Sequence, residues 1–144
     1  ILDLKPRQMG EAGLVGGIQR LVAEFKAHTS AEVQFTYTEK GLKNLPDVHS
    51  LALFHICQEA LANAAKHAKA KNVHISLWRT KDRALMEIRD DGVGFDMENI
   101  SVNIGHGLAN METRVRSAGG DVEISSHLNE GTTILAWVPR HVRA

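Results

Sequence analysis

Residues 55–68 read HICQEALANAAKHA, and their spacing predicts a helix with one polar stripe. Positions four residues apart lie slightly more than one helical turn apart, so their side chains share a face. A carboxylate, an amide oxygen and cations on one face could hold Mg²⁺ and the phosphates that it bridges, because Mg²⁺ takes oxygen ligands. Asn63 is the metal ligand that this arrangement favours, with Lys66 at the edge of the stripe. Taken alone, a solvated helix face is the commoner explanation of such residues. The stripe consists of His55, Glu59, Asn63 and His67.

Two glycine-rich motifs follow this helix. Residues 90–95 read DDGVGF after an apolar strand pattern, so carboxylates emerge at a strand end and glycines let the backbone turn tightly or approach a ligand. A carboxylate there can recognise an amine, and a plain Asp-Gly turn is the alternative. Residues 105–108 read GHGL and are predicted to open a helix, where unpaired N–H groups favour a phosphate. The alternative is a glycine hinge, because residues 96–104 resemble a mobile lid.

The rest of the chain predicts a mixed α/β domain. Asp47 is the predicted N-cap of the second helix, Gly119-Gly120 a C-terminal helix stop and residues 80–83 the turn of a hairpin. The element order is too mixed for a simple alternating βαβ fold. The predicted elements are helices over 13–28, 47–68 and 108–118 and strands over 33–37, 73–77, 84–89, 122–126 and 133–138.

Composition narrows the class of protein. The 144 residues suffice for one domain with a core, and 17 basic and 17 acidic residues balance to no net formal charge. We therefore expect no nucleic-acid partner and no membrane contact by this domain. The single cysteine, Cys57, is expected to be a buried small hydrophobe in a reducing cytoplasm. The absence of an initiator Met indicates a piece excised from a larger protein.

Familiar nucleotide and metal signatures are absent. The sequence has no G-x-x-x-x-G-K-[ST] motif, and Asn110 stands where a dinucleotide-binding G-x-G-x-x-G motif requires its third glycine. No G-x-S-x-G elbow or Cys/His arrangement predicts a hydrolase nucleophile. His55 and His67 are too far apart along a helix for a two-histidine zinc pair. Zinc, P-loop and dinucleotide sites are therefore disfavoured.

The motifs resemble those of the catalytic ATP-binding domain of sensor histidine kinases, within the gyrase, Hsp90, histidine kinase and MutL superfamily. The most similar subfamily pairs with NarL-type response regulators. Residues 4–6, followed by Gly13-Leu14, resemble the segment that enters this domain from the phosphoacceptor helices. The matching motifs are the N box at 55–68, the G1 box at 90–95, the G2 box at 105–111 and the terminal glycine-threonine motif at 131–133.

The resemblance implies a fold and a set of site residues. The fold is an α/β (α+β) two-layer sandwich, the Bergerat ATP-binding fold, with a mixed β-sheet covered on one face by three helices. Asn63 would coordinate Mg²⁺, and Glu59 would have the catalytic role of supporting the metal site or polarising an attacking group. Asp90, helped by Thr132, would accept from the adenine amino group. The other nucleotide-binding positions are Gly92 and Gly94, which would leave space for the base, Lys66 and His67 at the phosphates, and Gly105, His106, Gly107 and Leu108, which would close over the triphosphate.

The resemblance also implies an activity. Residues 1–144 would form a single domain of a sensor kinase that binds Mg-ATP and supplies the γ-phosphate to a histidine on a separate dimerisation and phosphotransfer domain. A NarL-type response regulator would act downstream. None of the eight histidines is followed by Asp or Glu, so the acceptor histidine is expected outside this chain. We expect the domain in the cytoplasm, whether the full-length protein is membrane-anchored or soluble. The alternative is an ATPase or an anti-sigma serine kinase on the same fold.

Overall fold

The computed structural model describes residues 13–38, 40 and 42–142. The predicted entry segment at 4–6 lies outside the described residues and stays a prediction. Within them, no helix combines the length and the hydropathy needed to cross a bilayer. The elements are, in chain order, α1 (Gly13–His28), β1 (Glu32–Tyr37), α2 (Asp47–Asn63), a π-helical turn (Ala64–Ala68), β2 (Asn72–Arg79), β3 (Arg83–Asp90), α3 (Val102–Ser117), β4 (Asp121–His127) and β5 (Gly131–Pro139).

The five strands form one mixed sheet in the order β1-β2-β3-β5-β4. β1 pairs parallel with β2, and the other three pairs are antiparallel, which confirms the predicted hairpin of β2 and β3. Along the central strands every second residue is buried, as with Val73, Ile75 and Leu77 in β2. This alternation is the pattern of a sheet covered on one face. The two-layer fold with three helices is confirmed.

The core lies between the sheet and the helices. α2 packs between α1 and α3 and also contacts β3 and β5. Fully buried side chains come from both layers, among them Ile18, Phe54, Ile75, Met111 and Val138. Each large apolar side chain buried in this way stabilises the fold by about 1.5–3 kcal/mol. The sheet and the three helices are therefore held together by a well-packed core.

Two helix boundaries near the site differ from the prediction. Asp47 is the first residue of α2 and not its N-cap, which is Pro46 without a side-chain hydrogen bond. α3 begins at Val102, well before residue 108, because the Ser101 hydroxyl accepts a hydrogen bond from the Ile104 N–H and caps the helix. The glycines of residues 105–108 therefore lie inside α3 and do not open it.

The C-terminal end of α3 agrees with the prediction. Gly119 has a φ of +86°, and the Gly120 N–H donates to the Val115 carbonyl at 2.9 Å. This is the helix stop that a left-handed glycine provides.

Candidate functional site

A pocket opens between α2, the π-helical turn, β3, β5 and the start of α3. The empty space within it, including open solvent at its mouth, is about 550 Å³. Four polar side chains reach it, namely Asn63, His67, Asp90 and Thr132. The larger apolar side chains of its wall are Val73, Ile88, Phe95, Ile104, Leu108 and Ile134. An apolar wall with a few polar groups is typical of a site for a flat, partly polar ligand.

The pocket brings together only part of the predicted site. The predicted residues that line it are Asn63, His67, Asp90, Gly94, Leu108 and Thr132. The predicted residues that do not line it are Glu59, Lys66, Gly92, Gly105, His106 and Gly107. The two sets differ in part because Gly92 and Gly107 contact protein rather than open space.

The helical motif places Asn63 and His67 through a change of helix type. Asn63 is the last residue of α2, and Ala64–Ala68 form a single π-helical turn. Such turns occur often at functional sites because they displace side chains from the regular α-helical positions. Lys69 then ends the helix with a φ of +51°. Lys66 in this turn is exposed.

Glu59 lies against α3. A Cβ atom built on Gly107 would be 2.8 Å from Oε2 of Glu59, so a side chain at this position would require the Glu59 carboxylate to move. Gly107 therefore allows α2 and α3 to approach each other. Glu59 is half-buried at this crossing and not in the wall of the pocket.

Asp90 is the carboxylate of the pocket. It ends β3, and its Oδ1 accepts a hydrogen bond from the Gly92 N–H at 2.9 Å. Burial raises the pKa of Asp90, and the neighbouring Asp91 adds to this, while the N–H groups of Gly92 and Thr132 oppose it. An ionised carboxylate can accept about four hydrogen bonds, so Asp90 keeps acceptor capacity for a ligand.

Asp91 has a structural role instead. Its Oδ1 accepts from the N–H groups of Lys71 and Asn72, each at 2.8 Å, and its Oδ2 accepts from the Asn72 amide at 2.9 Å. These hydrogen bonds, with Asn72 contributing most, lower the pKa of Asp91. The carboxylate therefore ties the end of β3 to the start of β2.

The glycines of residues 90–95 pack closely against protein backbone. A Cβ atom on Gly92 would collide with the Ala68 carbonyl oxygen, and one on Gly94, which has a φ of +62°, with the His127 carbonyl oxygen. The Val93 N–H also donates to the Ala68 carbonyl at 2.7 Å. The missing side chains therefore make room for protein backbone, and Gly94 also lines the pocket.

The predicted phosphate cradle at residues 105–108 is not formed. The Gly105 N–H donates to the Ser101 carbonyl at 2.9 Å, so it is not one of the unpaired groups of a helix start. A Cβ atom on Gly105 would meet only Cγ2 of Ile100, at 3.8 Å. Nothing in the packing requires glycine here.

Sequence reasoning missed Ser126. This residue of β4 is 2% exposed, and its hydroxyl contacts the Phe95 N–H at 2.8 Å, the Gly131 carbonyl at 3.1 Å and the Thr132 hydroxyl at 2.8 Å. The sequence signal that could have identified it is the alternation along β4, where Val122, Ile124 and Ser126 point to the same side of the sheet. Ser126 is a polar residue at an otherwise apolar position of this pattern. Ser126 therefore ties the G1 segment to the wall of the pocket.

Two other predicted features lie outside the pocket. Burial, with a smaller effect of Arg114, lowers the pKa of His55, whose Nδ1 contacts Oε1 of Gln58 at 3.2 Å. Cys57 is fully buried, which raises the pKa of its thiol to about 12, so it is the buried hydrophobe expected. Across the described ranges, three or more His, Cys, Asp or Glu side chains nowhere converge as a metal site would require.

Comparison with known proteins places the chain in a family. Residues 48–142 match the family described as histidine kinase-, DNA gyrase B-, and HSP90-like ATPase. The signal transduction histidine-protein kinase/phosphatase DegS of Brevibacillus brevis is 35% identical over 139 residues, covering 96% of this chain and 36% of that protein. The sensor histidine kinase MctS of Rhizobium johnstonii is 34% identical, covering 96% of this chain and 30% of that protein.

A solved structure shares the fold. The histidine kinase domain from the Erythrobacter litoralis EL346 blue-light activated histidine kinase matches with a TM-score of 0.69 and 15% identity, covering 89% of this chain and 61% of that chain. The chain spans about a third of the length of the two curated relatives described above. With the family match extending over most of its length, this chain belongs to the histidine kinase-, DNA gyrase B-, and HSP90-like ATPases.

Proposed function

We propose that this chain is the catalytic ATP-binding domain of a sensor histidine kinase, which binds Mg-ATP and supplies its γ-phosphate to a histidine on a separate helical domain. The observation that carries this proposal is the pocket that combines a half-buried carboxylate on the sheet with an amide and an imidazole on the neighbouring helix. The family match and the named histidine kinases among the relatives support it.

The sheet side of the pocket suits a purine. Asp90 keeps acceptor capacity for an exocyclic amine, and Thr132 lies beside it on β5. The apolar side chains of Ile88, Phe95 and Ile134 supply a surface for the flat ring. A buried acceptor beside an apolar wall discriminates strongly between bases, because an unpaired polar group in such a site is costly.

The helix side suits magnesium and phosphates. Asn63 would hold Mg²⁺ through its amide oxygen, with Glu59 one turn earlier on α2 supporting the metal site. His67, which lines the pocket, and the exposed Lys66 beside it would contact phosphate. Bound Mg²⁺ would neutralise phosphate charge. The protein then contributes mainly positioning, which is what phosphoryl transfer requires.

The partners follow from what this chain lacks in sequence. None of its eight histidines precedes an acid, so the acceptor histidine belongs to the dimerisation and phosphotransfer helices of the same kinase. A NarL-type response regulator would then receive the phosphoryl group. The greater length of the curated relatives leaves room for such a helical domain.

Calorimetric titration with ATP, with and without Mg²⁺, tests this proposal. We expect wild type to bind ATP more tightly with Mg²⁺ and Asn63→Ala to lose most of that difference, because the amide oxygen is the proposed ligand. Gln58→Ala is the matched control, since Gln58 is an exposed residue of the same helix outside the pocket. Absence of ATP binding by wild type would refute the function. A full Mg²⁺ effect in Asn63→Ala would refute the assigned ligand.

A further inference from the structure

We propose that Ser126 fixes the Thr132 hydroxyl as a hydrogen-bond acceptor toward the pocket, so that Asp90 and Thr132 together select 6-amino over 6-oxo purine nucleotides. Ser126 is thus a positioning residue that acts through Thr132. This inference rests on the proposed function and adds a source of base specificity to it.

The three contacts of the Ser126 hydroxyl use all of its hydrogen-bonding capacity. A serine hydroxyl can donate one hydrogen bond and accept two. The Phe95 N–H, at 2.8 Å, can only donate, and the Gly131 carbonyl, at 3.1 Å, can only accept. The third partner, the Thr132 hydroxyl at 2.8 Å, can do either. The direction of this third hydrogen bond is therefore set by the other two.

Only one arrangement places a hydrogen in every contact. If Ser126 donates to the Gly131 carbonyl, then Thr132 must donate to Ser126, and all three contacts are hydrogen bonds. If Ser126 instead donates to Thr132, its oxygen faces the Gly131 carbonyl with no hydrogen between them. Such an unpaired contact is costly at a side chain that is 2% exposed. The first arrangement is therefore favoured.

The consequence reaches the ligand through Thr132. This residue pairs with Asp90 of β3 on one side and with Ser126 of β4 on the other, and it lines the pocket. Its only hydroxyl hydrogen is used by Ser126, so it presents lone pairs to the pocket. The ionised Asp90 is also an acceptor only. The acceptor atoms of Asp90 and Thr132 therefore match a 6-amino group, which offers two hydrogens, and repel a 6-oxo group.

Calorimetric titration with Mg-ATP and Mg-ITP tests the inference, because ITP replaces the 6-amino group by an oxo group. We expect Ser126→Ala to lower the ratio of ITP to ATP dissociation constants by roughly tenfold, since Thr132 becomes free to donate to the oxo group. A general loosening of the pocket would weaken the binding of both nucleotides and leave the ratio of their dissociation constants unchanged. Ser125→Ala is the matched control, because Ser125 is an exposed neighbour on the same strand.

Two further variants separate the explanations. In Thr132→Val, which has no hydroxyl to orient, we expect adding Ser126→Ala to leave the ratio unchanged. If Ser126→Ala does not fold, Ser126→Cys keeps the shape with a weaker donor. Its ratio of ITP to ATP dissociation constants should lie between that of wild type and that expected for Ser126→Ala. An unchanged ratio in the folded Ser126 variant, with wild type selective for ATP, would overturn this inference alone. Failure of wild type to bind either nucleotide would overturn the proposed function.

Discussion

Asp90 and Asp91 are adjacent carboxylates whose pKa values shift in opposite directions because their surroundings differ. Asp91 is exposed and receives three hydrogen bonds that favour its charged form. Asp90 is half-buried, and desolvation disfavours its charge. A single sequence motif thus contains one residue that stabilises the fold and one whose charge we propose is kept for a ligand.

Asp90→Asn should therefore separate binding from stability. We expect ATP affinity to fall about tenfold or more, because an amide nitrogen replaces the acceptor of a charge-assisted hydrogen bond. The ligand-free domain should melt at the same temperature or higher. The folded pKa of Asp90 is raised, so the ionised side chain costs folding free energy above that pKa, and the amide removes the cost while still accepting from the Gly92 N–H.

Calorimetry at pH 7 measures the affinity, and a thermal melt of the ligand-free protein measures the stability. Raising the pH from 4 to 7 should narrow any stability advantage of wild type over Asp90→Asn, since a raised pKa gives stability that is lost as pH rises. Unchanged ATP affinity would contradict the role of Asp90. If Asp90→Asn melts well below wild type at pH 7, then the cost of burying the charge is not the dominant effect of Asp90 on folding stability.

At the scale of elements, local patterns predicted most of the fold. Helical spacing located α1, period-two alternation located the strands, and Gly119-Gly120 marked the end of α3. Two features could not be predicted because they depend on tertiary contacts. The π-helical turn is the surface against which Gly92 packs, and the role of Ser126 exists only once β4 and β5 pair.

The start of α3 was mispredicted for a different reason. The polar residues before the glycines have the composition of a loop, but Ser101 caps a helix there, and the glycines are accommodated inside it. If Gly105 and Gly107 close over the triphosphate, as the family resemblance implies, this first part of α3 must leave the helix. Glycine at position 105 lowers the cost of that change, because glycine destabilises a helix.

Gly105→Ala tests whether α3 must unwind. Alanine should stabilise the helix by roughly 0.5–1 kcal/mol, and Cγ2 of Ile100, the nearest atom from outside this stretch of helix among the described residues, would be 3.8 Å from the added Cβ and leaves room for it. We expect a higher melting temperature without nucleotide and an ATP affinity lower by about two- to fivefold, because binding must overcome the added helix stability. Thermal melts and calorimetry measure the two effects.

Thr113→Ala is the matched control for this prediction. Thr113 is exposed on α3 beyond the glycines, and alanine there also favours the helix. It should raise the melting temperature and leave ATP affinity unchanged. If Gly105→Ala binds ATP as tightly as wild type does, then ATP binds without unwinding of the first part of α3.

For the whole molecule, the proposed division between an ATP site in this chain and a phosphate acceptor in another domain predicts how the chain behaves alone. The pocket contains a histidine, His67, but neither it nor any of the other seven histidines precedes an acid. With ATP labelled at the γ-phosphate, we expect little or no label on this chain. Adding a protein that contains the phosphoacceptor helices of a histidine kinase should transfer label to that protein, and Asn63→Ala should reduce the transfer.

The chemical stability of the phosphorylated acceptor distinguishes a histidine kinase from the alternatives, a serine kinase or an ATPase on the same fold. A phosphohistidine is labile to acid and stable to base, whereas a phosphoserine is stable to acid, so acid treatment of the labelled acceptor identifies the bond. Acid-stable label would favour a serine kinase on this fold, and rapid phosphate release without an acceptor would favour an ATPase. Label on the isolated chain would contradict the division of labour. The expected result follows from Asp90, Thr132 and Asn63 lying in one pocket, because we propose that this pocket positions a nucleotide and that another domain carries the acceptor.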